Sequence, residues 1–429
     1  MMTNNVTVHE SALLKEKYYT FHHQSGLTVH VFPKALSTTY AILGTGYGAV
    51  DSAFYREGEL LCVPDGIAHF LEHKMFEAED GTDAFEHFAA VGANANAYTS
   101  SDMTAYLFSA ADRLEEALRE LLVCVTTPHF TKENVEKEMD IIGQEIQMHE
   151  DSPNSRLYYL LLEGLYQNHP IKRNIAGSRE SIKKITPELL YECYETFYQP
   201  SNMVLVVCGN ATVENVCNVV DEVLAKGEEK PIRRFMPEEE KAVASLRPSV
   251  RMEVARPLVA IGTKDMGADL PPLERERRGI CVDLVNDMLF GKSGALYERL
   301  YSEGLISDDF AAEYEMLSSC AFNAISCECE DPERLLKEIG ACIADAMENP
   351  PSKEEFERLK RCYYSDYVRG FDSTEEIANE LLTQALRGLD LFAEGELIAD
   401  VTYEETIGVM REVYGDSELV CATVLPLED

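Results

Sequence analysis

The sequence predicts an α+β protein made of two copies of one unit, and three observations carry that expectation. At 429 residues the chain is too long for one hydrophobic core. A polar, charged stretch at 227–249, containing Pro231, Pro237 and Pro248, divides it into comparable halves. Similar elements then recur in the same order on either side. Thr186, Glu188, Tyr198, Ser201 and Val204 are matched by Thr402, Glu404, Tyr414, Ser417 and Val420, every pair at an offset of 216. The helix start Thr131-Lys132-Glu133 recurs as Ser352-Lys353-Glu354 at an offset of 221. Domains are therefore expected at 1–226 and 250–429, joined by a linker at 227–249.

In order, the first half should begin with strands near 17–23, 27–33 and 39–48. A short helix around His69-Phe70-Leu71-Glu72-His73 follows, then two strands joined near Ser101-Asp102, several amphipathic helices, and a strand at 203–208. The second half should open with one strand over 250–263.

The informative run is H-x-x-E-H. Histidines four apart lie on one helix face, so His69 and His73 can reach one metal ion, with Glu72 in the same turn. Neutral imidazoles hold zinc without cancelling its charge, and a nearby carboxylate can take a proton from water activated by the metal. Histidine pairs at this spacing also arise by chance, so a third ligand is required. The helix expected over 131–146 offers Glu138 and Glu145, two turns apart on one face beside the apolar stripe Val135, Met139, Ile142 and Ile146. Glu133, Glu136 and Glu150 read as solvated.

These residues resemble the pitrilysin/insulinase family of inverzincin zinc metallopeptidases, in which H-x-x-E-H is followed some seventy residues later by a glutamate in E-x6-E. Glu145 lies 72 residues after His73. The resemblance implies one Zn2+ per chain held by His69, His73 and Glu145, Glu72 as general base, and Glu138 orienting a ligand histidine. It implies that the strand containing Asn96 and Ala97 binds an extended peptide by its main chain. It also implies that each domain is an antiparallel-rich sheet covered by helices, the pair forming half of a clamshell that encloses small unfolded peptides for endoproteolysis.

The second half should hold no such centre. Counting from Ser352, Leu359 and Asp366 stand where Glu138 and Glu145 stand, and the helix near 282–290 has no histidine. Relatives contribute an Arg and a Tyr from a stretch like L-R-E-x-x-G-L-A-Y; here the run 296–307 departs from it, with Arg299 and Tyr301 as the available substitutes or as an ordinary helix surface. The version of the motif resembles a bacterial, cytoplasmic, single-length branch, whose members act as homodimers or with a metal-less paralogue. The alternative function is a catalytically silent peptide-binding or assembly subunit of the same fold, which would tend to lose the set His69, Glu72, His73 and Glu145.

Composition sets bounds. A net charge of −38 argues against nucleic acid and anionic membranes as partners. Residues 1–10 have neither a basic nor an apolar leader segment, and no run approaches the ~20 apolar residues of a membrane span, so the expected location is the cytoplasm. The twelve cysteines are scattered without a C-x-x-C pair and are expected to be reduced, mostly buried, Cys327 and Cys329 included.

Overall fold

The apolar alternation of the first half folds into strands, and helices cover the sheet they form. The computed structural model describes residues 6–79, 81–415 and 417–428; residues 1–5 of the N-terminal stretch read above lie outside them. The first half runs β1 (Thr7–Ser11), β2 (Glu16–His22), β3 (Thr28–Pro33), β4 (Thr39–Thr45), β5 (Ala53–Arg56), β6 (Glu59–Cys62), α1 (Ile67–Lys74), α2 (Ala84–Ala90), β7 (Asn94–Thr99), β8 (Thr104–Ala110), α3 (Leu114–Thr126), α4 (Lys132–Glu150), α5 (Pro153–Leu165), α6 (Arg179–Ile182), α7 (Pro187–Phe197), β9 (Met203–Gly209) and α8 (Val213–Val223). The second half runs β10 (Arg233–Arg234), β11 (Ser249–Met252), β12 (Leu258–Asp265), α9 (Pro272–Phe290), α10 (Ala295–Ser302), β13 (Ala311–Met316), β14 (Ala321–Glu328), α11 (Pro332–Glu348), α12 (Lys353–Gly370), α13 (Thr374–Leu386), α14 (Ala393–Asp400), α15 (Tyr403–Tyr414) and β15 (Val420–Pro426).

The repeat is visible in the sheets. The large sheet has the order β1-β2-β3-β9-β4-β8-β7 and the second sheet β11-β15-β12-β14-β13. In the first, β3 runs parallel to β9, and β9-β4, β4-β8 and β8-β7 are antiparallel. In the second, β11 runs parallel to β15, and β15-β12, β12-β14 and β14-β13 are antiparallel. Five strands therefore share one topology, and β1-β2 extend only the first sheet.

The strand expected over 250–263 is two strands. β11 pairs with one edge of β15 and β12 with the other, so the chain must leave the sheet between them. Pro257, which has no N–H to give a ladder, stands just before β12. Linker residues also join a sheet: Arg233 and Arg234 pair with Tyr55 and Phe54 of β5, and Arg234 Nε donates to Asp51 Oδ1 at 2.8 Å.

The compact units are not the two contiguous halves. One comprises Met1–Ile146, Asn174–Phe235 and Val368–Phe392; the other comprises Gln147–Arg173, Met236–Tyr367 and Ala393–Asp429. Thus α13, late in sequence, lies against β9 and β4, and α5, early in sequence, lies against β15 and β12. The two helices occupy matching places on matching strands.

The core of the first unit lies on one face of the large sheet. Val29 and Val31 of β3, Ala41 and Leu43 of β4, and Leu205 and Val207 of β9 meet α1, α3, α7 and α8 there. Strand alternation sends Tyr40, Ile42 and Gly44 to the opposite face, where α13 lies. A Cβ on Gly44 would stand 2.7 Å from both Leu382 methyls, so glycine lets the helix approach β4 closely. Among the described residues no helix is long and apolar enough to cross a membrane. None of the twelve cysteines forms a disulfide; eight are buried, and Cys62 and Cys362 are exposed.

Candidate metal centre

The helix carrying H-x-x-E-H is short, and its start is held from outside. Gly66, its N-cap, has φ 92°, a conformation that side chains resist, and a Cβ there would be 2.4 Å from the Ala176 carbonyl oxygen. Ser181 Oγ donates to the neighbouring Asp65 carbonyl at 2.7 Å. Ile67, Ala68, Phe70 and Leu71 bury the helix in the core, so its axis and the facing of its two histidines are set by packing.

The second element is α4. Thr131 Oγ1 accepts from the Asn134 N–H at 3.2 Å, and Asn134 Oδ1 accepts from the Thr131 N–H at 2.9 Å, a reciprocal cap with Asn as the reaching side chain. Val135, Ile142 and Ile146 are buried. Glu138, on the same side, is 9% exposed, while Glu133, Glu136 and Glu150 face solvent.

The structure brings five of the expected residues together. His69 Nε2 and His73 Nε2 each lie 3.5 Å from a different oxygen of Glu145. One donor atom from each of the three lies within 4.8 Å of the others, the single such group among the described residues. Tetrahedral zinc with ligands at 2.0–2.2 Å separates them by roughly 3.3–3.6 Å. The donor set and these spacings fit that ion.

Around these three, the side chains differ in how firmly they are held. Glu138 Oε1 accepts from His73 Nδ1 at 3.1 Å, which fixes that imidazole and presents Nε2 inward. His69 Nδ1 is buried without a hydrogen-bond partner. Lys74 is fully buried, paired with Glu77 and 3.5 Å from Glu138 Oε2. Burial works against the Glu138 carboxylate, but the His73 hydrogen bond and the Lys74 charge outweigh it and hold its pKa below the ordinary value. At His73, burial opposes the cation, and the Glu138 bond with the charges of Glu72, Glu138 and Glu145 raises its pKa.

Glu72 is 7% exposed, and its burial raises its pKa against the lowering effects of the Thr99 hydrogen bond and the two histidines. Thr99 Oγ1 donates to Glu72 Oε2 at 2.6 Å. Thr99 and Lys74 are the residues that sequence reasoning missed. Strand alternation places Thr99 on the face of Ala95 and Ala97, toward α1, and that periodicity could have found it. A lysine in a helix carries no comparable sign of burial.

Asn96 and Ala97 lie on β7, the terminal strand of the large sheet, which packs against α1. The Ala97 N–H donates to Asn96 Oδ1 at 2.9 Å. Arg299 and Tyr301 belong to the second unit, on exposed surface of α10. There Arg299 pairs with Glu338 at 2.7 Å, and Tyr301 stacks on Tyr297 with ring centroids 5.6 Å apart.

Residues 64–179 match the family model described as insulinase, peptidase family M16, and residues 184–363 match the one described as the M16 inactive domain. The chain is 37% identical over 419 residues, 96% of its length and 97% of the relative's, to YmfH of Bacillus subtilis, which is named an uncharacterized zinc protease. It resembles the crystal structure of an M16-like peptidase from Alicyclobacillus acidocaldarius with a TM-score of 0.92 and 35% identity, covering 95% of this chain and 98% of that one. A protease from Helicobacter pylori shares the fold, with a TM-score of 0.82 at 19% identity over 96% of this chain and all of that one.

Proposed function

Because the chain belongs to the insulinase family of M16 peptidases, we infer that it is a zinc-dependent endopeptidase acting on extended, unfolded peptides. The observation that carries this reading is the convergence of His69, His73 and Glu145 beside a buried Glu72. Those three residues would hold the ion, one per chain, and zinc so bound supplies a positive charge that acidifies water and polarises a peptide carbonyl.

The protein's own groups account for the proton. Thr99 engages Oε2 of Glu72, leaving Oε1 to receive a proton from the attacking water. Burial raises the basicity of that carboxylate and so improves its match to the acid it must deprotonate. Glu72 then returns the proton to the departing amine nitrogen. Beside it, β7 can take a peptide by strand addition, through main-chain hydrogen bonds at Asn96 and Ala97. An added strand must be extended, which excludes folded proteins as substrates.

Glu72→Gln tests the mechanism. The variant should keep its zinc and lose about 10²–10⁴ in turnover of an unfolded peptide library, with products read by mass spectrometry. Turnover near that of the unaltered chain would remove Glu72 from the role of base.

A further inference from the structure

The face of β7 turned away from α1 has a partner of its own. Ala95, Ala97 and Thr99 look toward the core and the metal helix, so alternation turns Asn94, Asn96 and Tyr98 to the other face. There Tyr98 OH donates to Asn379 Oδ1 at 3.1 Å. The Asn379 amide nitrogen donates to Tyr40 OH at 3.3 Å and to the Glu375 carbonyl at 2.9 Å. Tyr40 is on β4 and Tyr98 on β7, with β8 between them, so one side chain spans three strands. Its own helix is anchored: Ile377, Ala378, Leu381 and Leu382 are buried, and Leu382 closes on Gly44.

We propose that Asn379 is a positioning residue for the peptide-binding strand, holding β7 at the position from which Asn96 and Ala97 meet the substrate; this rests on the function proposed above. A terminal strand is paired on one side only, so its placement depends on what grips its faces. On one face the grip is Thr99 on Glu72, and on the other it is Asn379 on Tyr98. The residue that supplies the second grip comes from a helix more than 200 positions downstream of the metal motif.

The test uses the full-length zinc protein with Asn379→Leu, Tyr98→Phe, the double variant, and Tyr40→Phe as a control that leaves the bond to β7. Asn379→Leu and Tyr98→Phe should each raise KM for an unfolded peptide by about two- to tenfold, the range of one net hydrogen bond, with a smaller change in kcat. The double variant should be no worse than the worse single one, because both remove the same bond. Zinc content should not change. Hydrogen exchange of the 94–99 backbone amides, which needs no activity, should quicken in the same two variants and not in the Tyr40 control. Unaltered exchange in both variants overturns the proposal. So does faster exchange with unaltered KM, which would leave the contact a matter of stability alone. An unaltered chain that cleaves no peptide overturns the peptidase reading, and the exchange measurement still decides whether Asn379 grips β7.

Discussion

Glu138 and Thr99 do different work at the metal centre, and their variants should separate. Glu138 acts on His73 through Nδ1, so Glu138→Gln should weaken zinc affinity about 10- to 100-fold, as loss of a carboxylate behind a ligand histidine does. Metal analysis after dialysis should find close to one zinc in the unaltered chain and none tightly held in His73→Ala or Glu145→Gln; two tight ions would refute a single centre. Thr99 hydrogen-bonds to Glu72, the proposed base, so Thr99→Val should lower kcat by about 10- to 150-fold and leave zinc content alone. That estimate takes the worth of a hydrogen bond to a charged group. An unaltered kcat in Thr99→Val would show that Glu72 needs no such support. Helical spacing marked His69, Glu72 and His73 and offered Glu138 and Glu145 on one face, and the family resemblance, not the spacing, chose between those two for the third ligand. Thr99 required knowing which strand lies beside α1, and Lys74 required knowing how deeply α1 is buried.

Helices and strands were read most accurately where periodicity and caps agreed. The starts at Thr131, Thr186 and Thr402 were found from side chains that do accept helix N–H bonds. The segment 250–263 was misread because its apolar run gives no sign of the reversal around β15. Helix α9 shows how an element can match in position and differ in chemistry. Asp283, on that helix, is pushed up to about 7 by burial, with the Tyr363 hydrogen bond opposing and the charges of Asp287 and Glu276 adding to it. A carboxyl held more tightly protonated in the folded state stabilises at low pH, and that contribution is lost as pH rises from about 4 to 7. Asp283→Asn should therefore raise stability increasingly over that window and by a constant amount above it, up to ~4 kcal/mol. Burial lowers His30 and His169 to about 4, which has the opposite slope: the folded state loses stability as pH falls from about 6.5 to 4. Thermal midpoints of Asp283→Asn and the unaltered chain across pH 4–8 would isolate the aspartate; parallel curves would contradict its raised pKa.

For the whole molecule, the exchange of α5 and α13 alters what cutting the chain does. A fragment that ends at the linker lacks α13, which lies against β4 and β9, whose residues are all buried. Burying Ile377, Leu381 and Leu382 is worth about 1.5–3 kcal/mol each, a sum comparable with the ~5–15 kcal/mol of a typical domain. A fragment 1–226 should therefore show no cooperative thermal transition, and co-expression with 227–429 should restore one. A cooperative transition in the fragment alone would mean that α13 is dispensable for folding, and its zinc content would then report on the metal centre in isolation.

What the sequence determined by itself was local or repeated: the metal motif, the spacing of Glu138 and Glu145, the helix caps, and the order of elements in two copies of one unit. Each depends on residues close in the chain or on self-similarity, which a single sequence displays. Which sheet each helix covers was decided by tertiary structure. The amphipathic stripes of α5 and α13 fit either of two like sheets, and an apolar face carries no address. The same holds for Asn379, whose place against Tyr98 follows from where α13 packs.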